Sequence, residues 1–185
     1  MLFDKITIIG IGLIGSSLAR VIMKKGLAGK LCACDKNKEY LAEARELGIV
    51  DEISEDLGKA VENADLVVYA TPVGAYGEIT RQIVPHLKKG VILTDVGSIK
   101  KYSIREIEEN LPENADVVVV PGHPVAGTEK SGPANGFDTL FEGRWYIVTP
   151  SSRSTEEAVA KVSELWAAAR MKVDKMTPEH HDKVM

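Results

Sequence analysis

A chain of 185 residues, 44% hydrophobic and 27% charged, is long enough to bury a sizeable core and reads as one large domain, or one domain plus a fragment. Its formal charge, 23 − 27 = −4, excludes the basic field that draws nucleic acid or an anionic membrane, so neither is expected as a partner. The apolar runs fall far short of the roughly 20 residues a membrane helix needs, and MLFDKITIIG has no secretory pattern, so a cytoplasmic location is expected.

The first apolar run, Lys5–Ile9, reads as a strand, and Leu13–Lys25 as a helix with Leu18, Val21 and Ile22 on one face. Between them stands Gly10-Ile11-Gly12-Leu13-Ile14-Gly15, a G-x-G-x-x-G string leaving a strand and opening a helix. Gly10 permits the tight turn, Gly12 lets a pyrophosphate approach the backbone, and Gly15 lets helix and strand pack closely. The helix start offers free N–H groups and a partial positive charge to the phosphates, with Leu13 and Ile14 supplying backbone there. A second strand, Lys30–Cys34, holds both cysteines, Cys32 and Cys34, two apart on one face and read as small buried residues. Asp35 ends that strand, placed to accept hydrogen bonds from adenosine ribose hydroxyls. A 2′-phosphate about 4 Å from its carboxylate would meet roughly 4 kcal/mol of repulsion per unit charge at an effective dielectric near 20. NAD is therefore favoured over NADP, with Lys36 softening the preference.

A helix is expected over Asn37–Leu47, then a strand Leu66–Ala70 ending in Thr71-Pro72-Val73-Gly74, near a nicotinamide. Helix Ala75–Leu87 carries His86 in its last turn, where it suits the helix dipole. Strand Val91–Thr94 ends in Asp95-Val96-Gly97-Ser98-Ile99-Lys100; Gly97 joins the cofactor-facing backbone, and Ser98 can cap the helix Ile99–Asn110, touch a ligand, or do both. Strand Val117–Pro121 ends in Gly122-His123-Pro124. Pro124 biases His123 toward extended backbone, and Gly122 leaves room beside it. The ring is thereby held at the mouth of a crevice, where a histidine titrating near 6.5 can draw off a hydroxyl proton as a hydride leaves the same carbon. Strand Trp145–Thr149, helix Thr155–Ala169 and strand Met171–Met176 follow. Thr177 then caps a last helix with Pro178 at its first position, and the adjacent His180 and His181 make a poor chelating pair. No metal site is expected.

Strict strand–helix alternation with continuous apolar strands means an α/β fold of Rossmann type, a doubly wound and mostly parallel sheet with helices on both faces.

Three strings together, G-x-G-x-x-G, Asp95 to Lys100 (D-x-G-S-x-K) and Gly122 to Gly132 (G-H-P-x-A-G-x-E-x-S-G), resemble prephenate dehydrogenase and its cyclohexadienyl and arogenate relatives. Leu140 to Gly143, Ile147 to Pro150 and Thr177-Pro178-Glu179 with His181-Asp182 fit as well, so the resemblance spans the chain. It implies hydride transfer from prephenate (or arogenate) to NAD, with loss of the ring carboxylate as CO2, in tyrosine biosynthesis. His123 is then the acceptor for the substrate hydroxyl and Ser98 orients it. Thr128 and Glu129 lie in a gating loop, and Asp182 joins an ionic network with Glu129. The resemblance also implies a helical domain beyond Thr177 that carries substrate-binding groups and the interface of a homodimer. Residues 1–176 are thus read as the NAD-binding domain and 177–185 as the first turns of the next, with the chain alone inactive. Two other readings are another Rossmann hydroxyacid or imine oxidoreductase and a non-catalytic NAD-binding module.

Overall fold

The computed structural model describes residues 1–185. The first half alternates as the periodicity requires: β1 Phe3–Ile9, α1 Leu13–Lys25, β2 Ala28–Cys34, α2 Lys38–Glu46, β3 Glu52–Ser54, α3 Leu57–Val61, β4 Leu66–Tyr69 and α4 Tyr76–Ile83. The second half continues with β5 Val91–Asp95, α5 Lys100–Glu108, β6 Val117–Val120, β7 Gly122–Pro124, β8 Trp145–Val148, α6 Glu156–Ala168, β9 Lys172–Lys175 and α7 Pro178–Val184. Six strands form one parallel sheet in the order β3-β2-β1-β4-β5-β6, the doubly wound arrangement. The strand order reverses between β1 and β4, so a crevice opens beyond the carboxyl ends of these two strands.

Alternation along each strand divides the core in two. Ile6, Ile8, Leu66 and Val68 face the side covered by α1 and α6. Ile9, Val67 and Tyr69 face the side covered by α3, α4 and α5. On the first side Trp166 is fully buried, stacked on Tyr146 at 4.9 Å between ring centroids and edge-on to Phe141 at 5.1 Å.

The structure departs from the sequence expectation in several places, among them the helix expected over Ala75–Leu87, which ends at Ile83 and gives way to a 3-10 turn, Val84–His86, at Pro85. β3 and α3 are too short to carry a periodic signal, and β7 was hidden in the end of a longer run. More consequentially, the chain leaves the large sheet after Val120. Pro121 has no N–H with which to extend the ladder. β7 instead pairs antiparallel with β8, which pairs parallel with β9, in a separate three-stranded sheet. The helix beginning at Pro178 packs against α5. Trp166→Ala is expected to cost about 3–5 kcal/mol of stability, read from denaturant unfolding; a loss under about 1 kcal/mol would mean that the stacked aromatic layer does not hold α6 to the sheet.

Candidate active site

The glycine turn has the form that an anion requires. Gly10 adopts φ +98°, and a Cβ on it would lie 2.5 Å from the Ala70 carbonyl oxygen. A Cβ on Gly15 would lie 2.0 Å from the Gly10 carbonyl oxygen, which locks α1 against the turn. Gly12 is different: a Cβ there would meet nothing within 4 Å, so its backbone faces open space. Gly12 is the N-cap of α1, which has no side-chain cap and no acidic residue in its first turn. The N–H groups of Gly12, Leu13 and Ile14 have no acceptor in the chain. Asp35 steadies this turn, its Oδ2 accepting from the Ile11 N–H at 2.9 Å and its Oδ1 from the Asn37 N–H at 2.8 Å. Lys36 is exposed beside it.

From the turn the crevice wall is continuous. Thr71 Cγ2 lies 3.0 Å from the Gly10 Cβ position, and Val73 Cγ2 lies 2.8 Å from that of Gly97. Pro72, exposed, opens the short 3-10 turn Val73–Ala75 between them.

Beyond Gly97 the wall is tied by a buried ion pair. Lys100, the first residue of α5, is completely buried. Its Nζ donates to Asp95 Oδ2 at 2.6 Å, to the Gly97 carbonyl at 3.0 Å and to the Gly122 carbonyl at 2.5 Å, which uses all three ammonium protons. Asp95 also accepts from the Gly97 N–H at 3.0 Å, the Tyr76 hydroxyl at 3.2 Å and, through Oδ1, the Gly122 N–H at 3.1 Å. Burial pulls the Lys100 ammonium below its ordinary value, and Asp95 opposes the shift. Sequence alone does not reveal this pair, because lysine is rarely fully buried and nothing in the string Asp95 to Lys100 says that it folds inward.

His123 stands in β7 opposite Ile147, with Tyr146 so close to Gly122 that a Cβ would sit 1.9 Å from the Tyr146 hydroxyl. His123 Nδ1 is 2.9 Å from His181 Nε2, and His181 Nδ1 is 2.8 Å from Asp182 Oδ1. Asp182 also accepts from the Lys100 N–H (2.8 Å, Oδ1) and the Lys101 N–H (2.9 Å, Oδ2), and so caps α5. His123 Nε2 has no partner in the chain.

The family model described as prephenate dehydrogenase, nucleotide-binding domain, matches residues 18–175. The chain belongs to this family. It is 38% identical over 183 residues to the cyclohexadienyl dehydrogenase of Zymomonas mobilis, covering 99% of this chain and 61% of that one. It is 32% identical over 182 residues to a prephenate dehydrogenase of Bacillus subtilis, covering 98% and 48%. Among solved structures, prephenate dehydrogenase from Aquifex aeolicus in complex with hydroxyphenyl propionate and NAD+ superposes with a TM-score of 0.88 at 32% identity, over 98% of this chain and 62% of that one. Arogenate dehydrogenase from Synechocystis also gives 0.88, at 28% identity over 97% and 62%. The chain therefore spans about half to three-fifths of the length of these relatives.

Within this domain, several expected contacts fall elsewhere. Ser98 is exposed, makes no hydrogen bond in the chain and does not cap α5; Ile99 stands at the N-cap without a capping side chain and Asp182 does the capping. Asp182 does not meet Glu129, which is exposed in the loop after β7 and forms no ion pair. Thr128 is exposed and accepts from the Lys130 N–H at 3.1 Å. The far end of their loop is anchored on α1, where the Phe137 N–H donates to Ser17 Oγ at 3.1 Å. His181, read from sequence as bland, is fully buried and touches His123. Hydrophobic periodicity could not find it, because α7 turns a histidine inward and leaves Val184 54% exposed.

The electrostatics also correct the expectation of a ring titrating near neutrality. His123 is pushed down from near 6.5 to about 4, first by burial and then by the nearby Lys100 and His181, against the pull of Asp95 and Asp182. Asp182 is held below its ordinary range: burial opposes this, but the N–H groups of Lys101 and Lys100 and the ring of His181 outweigh it. Because the folded pKa of His123 lies below the unfolded one, the unfolded chain binds a proton that the folded chain refuses, and stability falls as pH drops from about 6.5 to about 4. His123→Gln is expected to lose less stability than the parent across that window, measured by urea unfolding at pH 7 and pH 5. Parallel losses would place the His123 pKa at its unfolded value.

Proposed function

We propose that this chain is the cofactor-binding part of an enzyme that oxidises prephenate, or arogenate, by hydride transfer to NAD with loss of the ring carboxylate as CO2. The observation that carries the reading is one continuous wall. It starts at the open backbone of Gly12, passes Thr71, Val73 and Gly97, and ends at a histidine with one unpartnered ring nitrogen.

The residues present fit a nicotinamide dinucleotide. Gly12, Leu13 and Ile14 offer N–H groups where a pyrophosphate would lie, in space that a Cβ at Gly12 would intrude upon. Asp35 is half-buried, and each of its oxygens keeps a lone pair for a ribose hydroxyl after binding Ile11 and Asn37. Thr71, Pro72, Val73 and Gly97 would line the nicotinamide end. The bound cofactor would supply the hydride acceptor. His123, neutral at physiological pH, would accept the proton of the substrate hydroxyl at Nε2, and Ser98, exposed in the turn between β5 and α5, would hold that hydroxyl. Thr128 and Glu129 would close over the substrate from the loop. The relatives are longer than this chain; in this reading residues 177–185 begin a following helical domain, and the homodimer and cytoplasmic location rest on the family resemblance alone.

Calorimetric titration of the chain is expected to show NAD binding at least tenfold tighter than NADP, about 1.4 kcal/mol, with Asp35→Asn narrowing the gap. Equal affinities in the parent would defeat the assignment of Asp35. In the enzyme carrying this domain, His123→Asn is expected to lower kcat by about 10²–10⁴-fold with NAD affinity little changed. The acid limb of the parent's kcat/KM profile is expected near pH 4 rather than 6.5. Turnover of the Asn variant within a few-fold of the parent would move the base elsewhere.

A further inference from the structure

We infer that His181 and Asp182 form a positioning relay that fixes which nitrogen of His123 is free to accept a proton. This rests on the reading of His123 as the proton acceptor. The argument runs from the carboxylate outward. An ionised carboxylate only accepts, so His181 Nδ1, at 2.8 Å from Asp182 Oδ1, carries the hydrogen. In the neutral form of His181 the ring has one N–H, already on Nδ1, so Nε2 presents a lone pair. His123 Nδ1, at 2.9 Å from it, must then be the donor. That leaves the lone pair of His123 on Nε2, the nitrogen with no partner in the chain.

The geometry is held from both ends. Asp182 is fixed because its two oxygens cap α5 on the Lys100 and Lys101 N–H groups. His181 is completely buried and its ring meets that of His123 edge-on, 5.1 Å between centroids at 74°. Lys100 begins the capped helix and also binds the Gly122 carbonyl next to His123, so relay and acceptor share one anchor. The charged and titratable groups facing His123 are Lys100 and Asp95 from the ion pair and His181 and Asp182 from α7. A carboxylate that sets the tautomer of a catalytic histidine through a hydrogen bond is a known device; here a second imidazole stands between the two.

The first test needs no variant. Ring 15N shifts of the chain at pH 7 should show His123 protonated at Nδ1 and unprotonated at Nε2; a proton resting on Nε2, or an average over both tautomers, overturns the relay. The second compares His181→Leu, which removes the acceptor, with His181→Gln, whose side-chain oxygen can replace it. In His181→Leu the His123 ring should exchange between tautomers. In the enzyme carrying this domain, kcat should fall at least about tenfold, bounded above by the roughly 10⁴-fold loss that a wrong tautomer causes. KM and NAD affinity should stay within about twofold, and His181→Gln should restore most of kcat. Unchanged kcat and an unchanged tautomer in His181→Leu overturn the proposal. If His123→Asn is inactive but the tautomer is not fixed, the relay is wrong; if the tautomer is fixed but His123→Asn is active, the base assignment is wrong and the relay loses its role with it.

Discussion

Four donors converge on the buried carboxylate of Asp95, and one of them, the ammonium of Lys100, reaches on to two backbone carbonyls. The pair binds the end of β5, the start of α5 and the first residue of β7 into one unit. A buried ion pair gains little net stability, since the desolvation of both charges offsets their attraction. Its effect is positional. A lysine in this place can be satisfied only if Gly97 and Gly122 stand where they do, and Gly122 is the backbone neighbour of the histidine. Burial first, and then the field of the same ammonium, keep the ring uncharged, so the side chain that places the proposed acceptor also helps to hold it ready to accept.

The second constraint is steric and also falls on backbone. Gly10 and Gly15 are closed positions, each filled by a carbonyl oxygen where a side chain would be, whereas Gly12 between them is open. Three glycines of one motif thus have opposite jobs, two that seal and one that exposes. Gly122 repeats the sealing role at the other end of the crevice against Tyr146. The crevice is defined as much by where a Cβ cannot stand as by the side chains that line it.

Much of this was legible in the chain itself. The helix from Leu13 to Lys25 was read to the residue, because its apolar stripe begins at a glycine turn and its end is marked by two lysines and Gly26. The large parallel sheet followed from strand–helix alternation, and Gly10, Gly12, Gly15 and Asp35 from their spacing. What escaped was whatever depends on a partner distant in sequence. Pro121 marks where the ladder stops, but nothing near Val117–Val120 says that the chain then enters a second sheet. Nothing near Lys100 says that its charge is buried, since the reason lies at Asp95 and Gly122 together. His181 belongs to a string that carries the family resemblance, but nothing in that string says that its ring is buried against His123, and the value of the neighbouring carboxylate comes from α5, some 80 residues earlier.

The docking of α7 carries a further consequence. α7 is tied to the domain by two adjacent side chains, Asp182 at the open end of α5 and His181 in the interior. The amides of Lys100 and Lys101 and the ring of His123 therefore lose their partners in a single event whenever α7 lifts away. The contact of α7 with α5 is thus coupled to the state of the histidine. Hydrogen exchange at those two amides would read out how often the histidine is left unsteered, and anything that presses α7 onto α5 would sharpen the site without touching it.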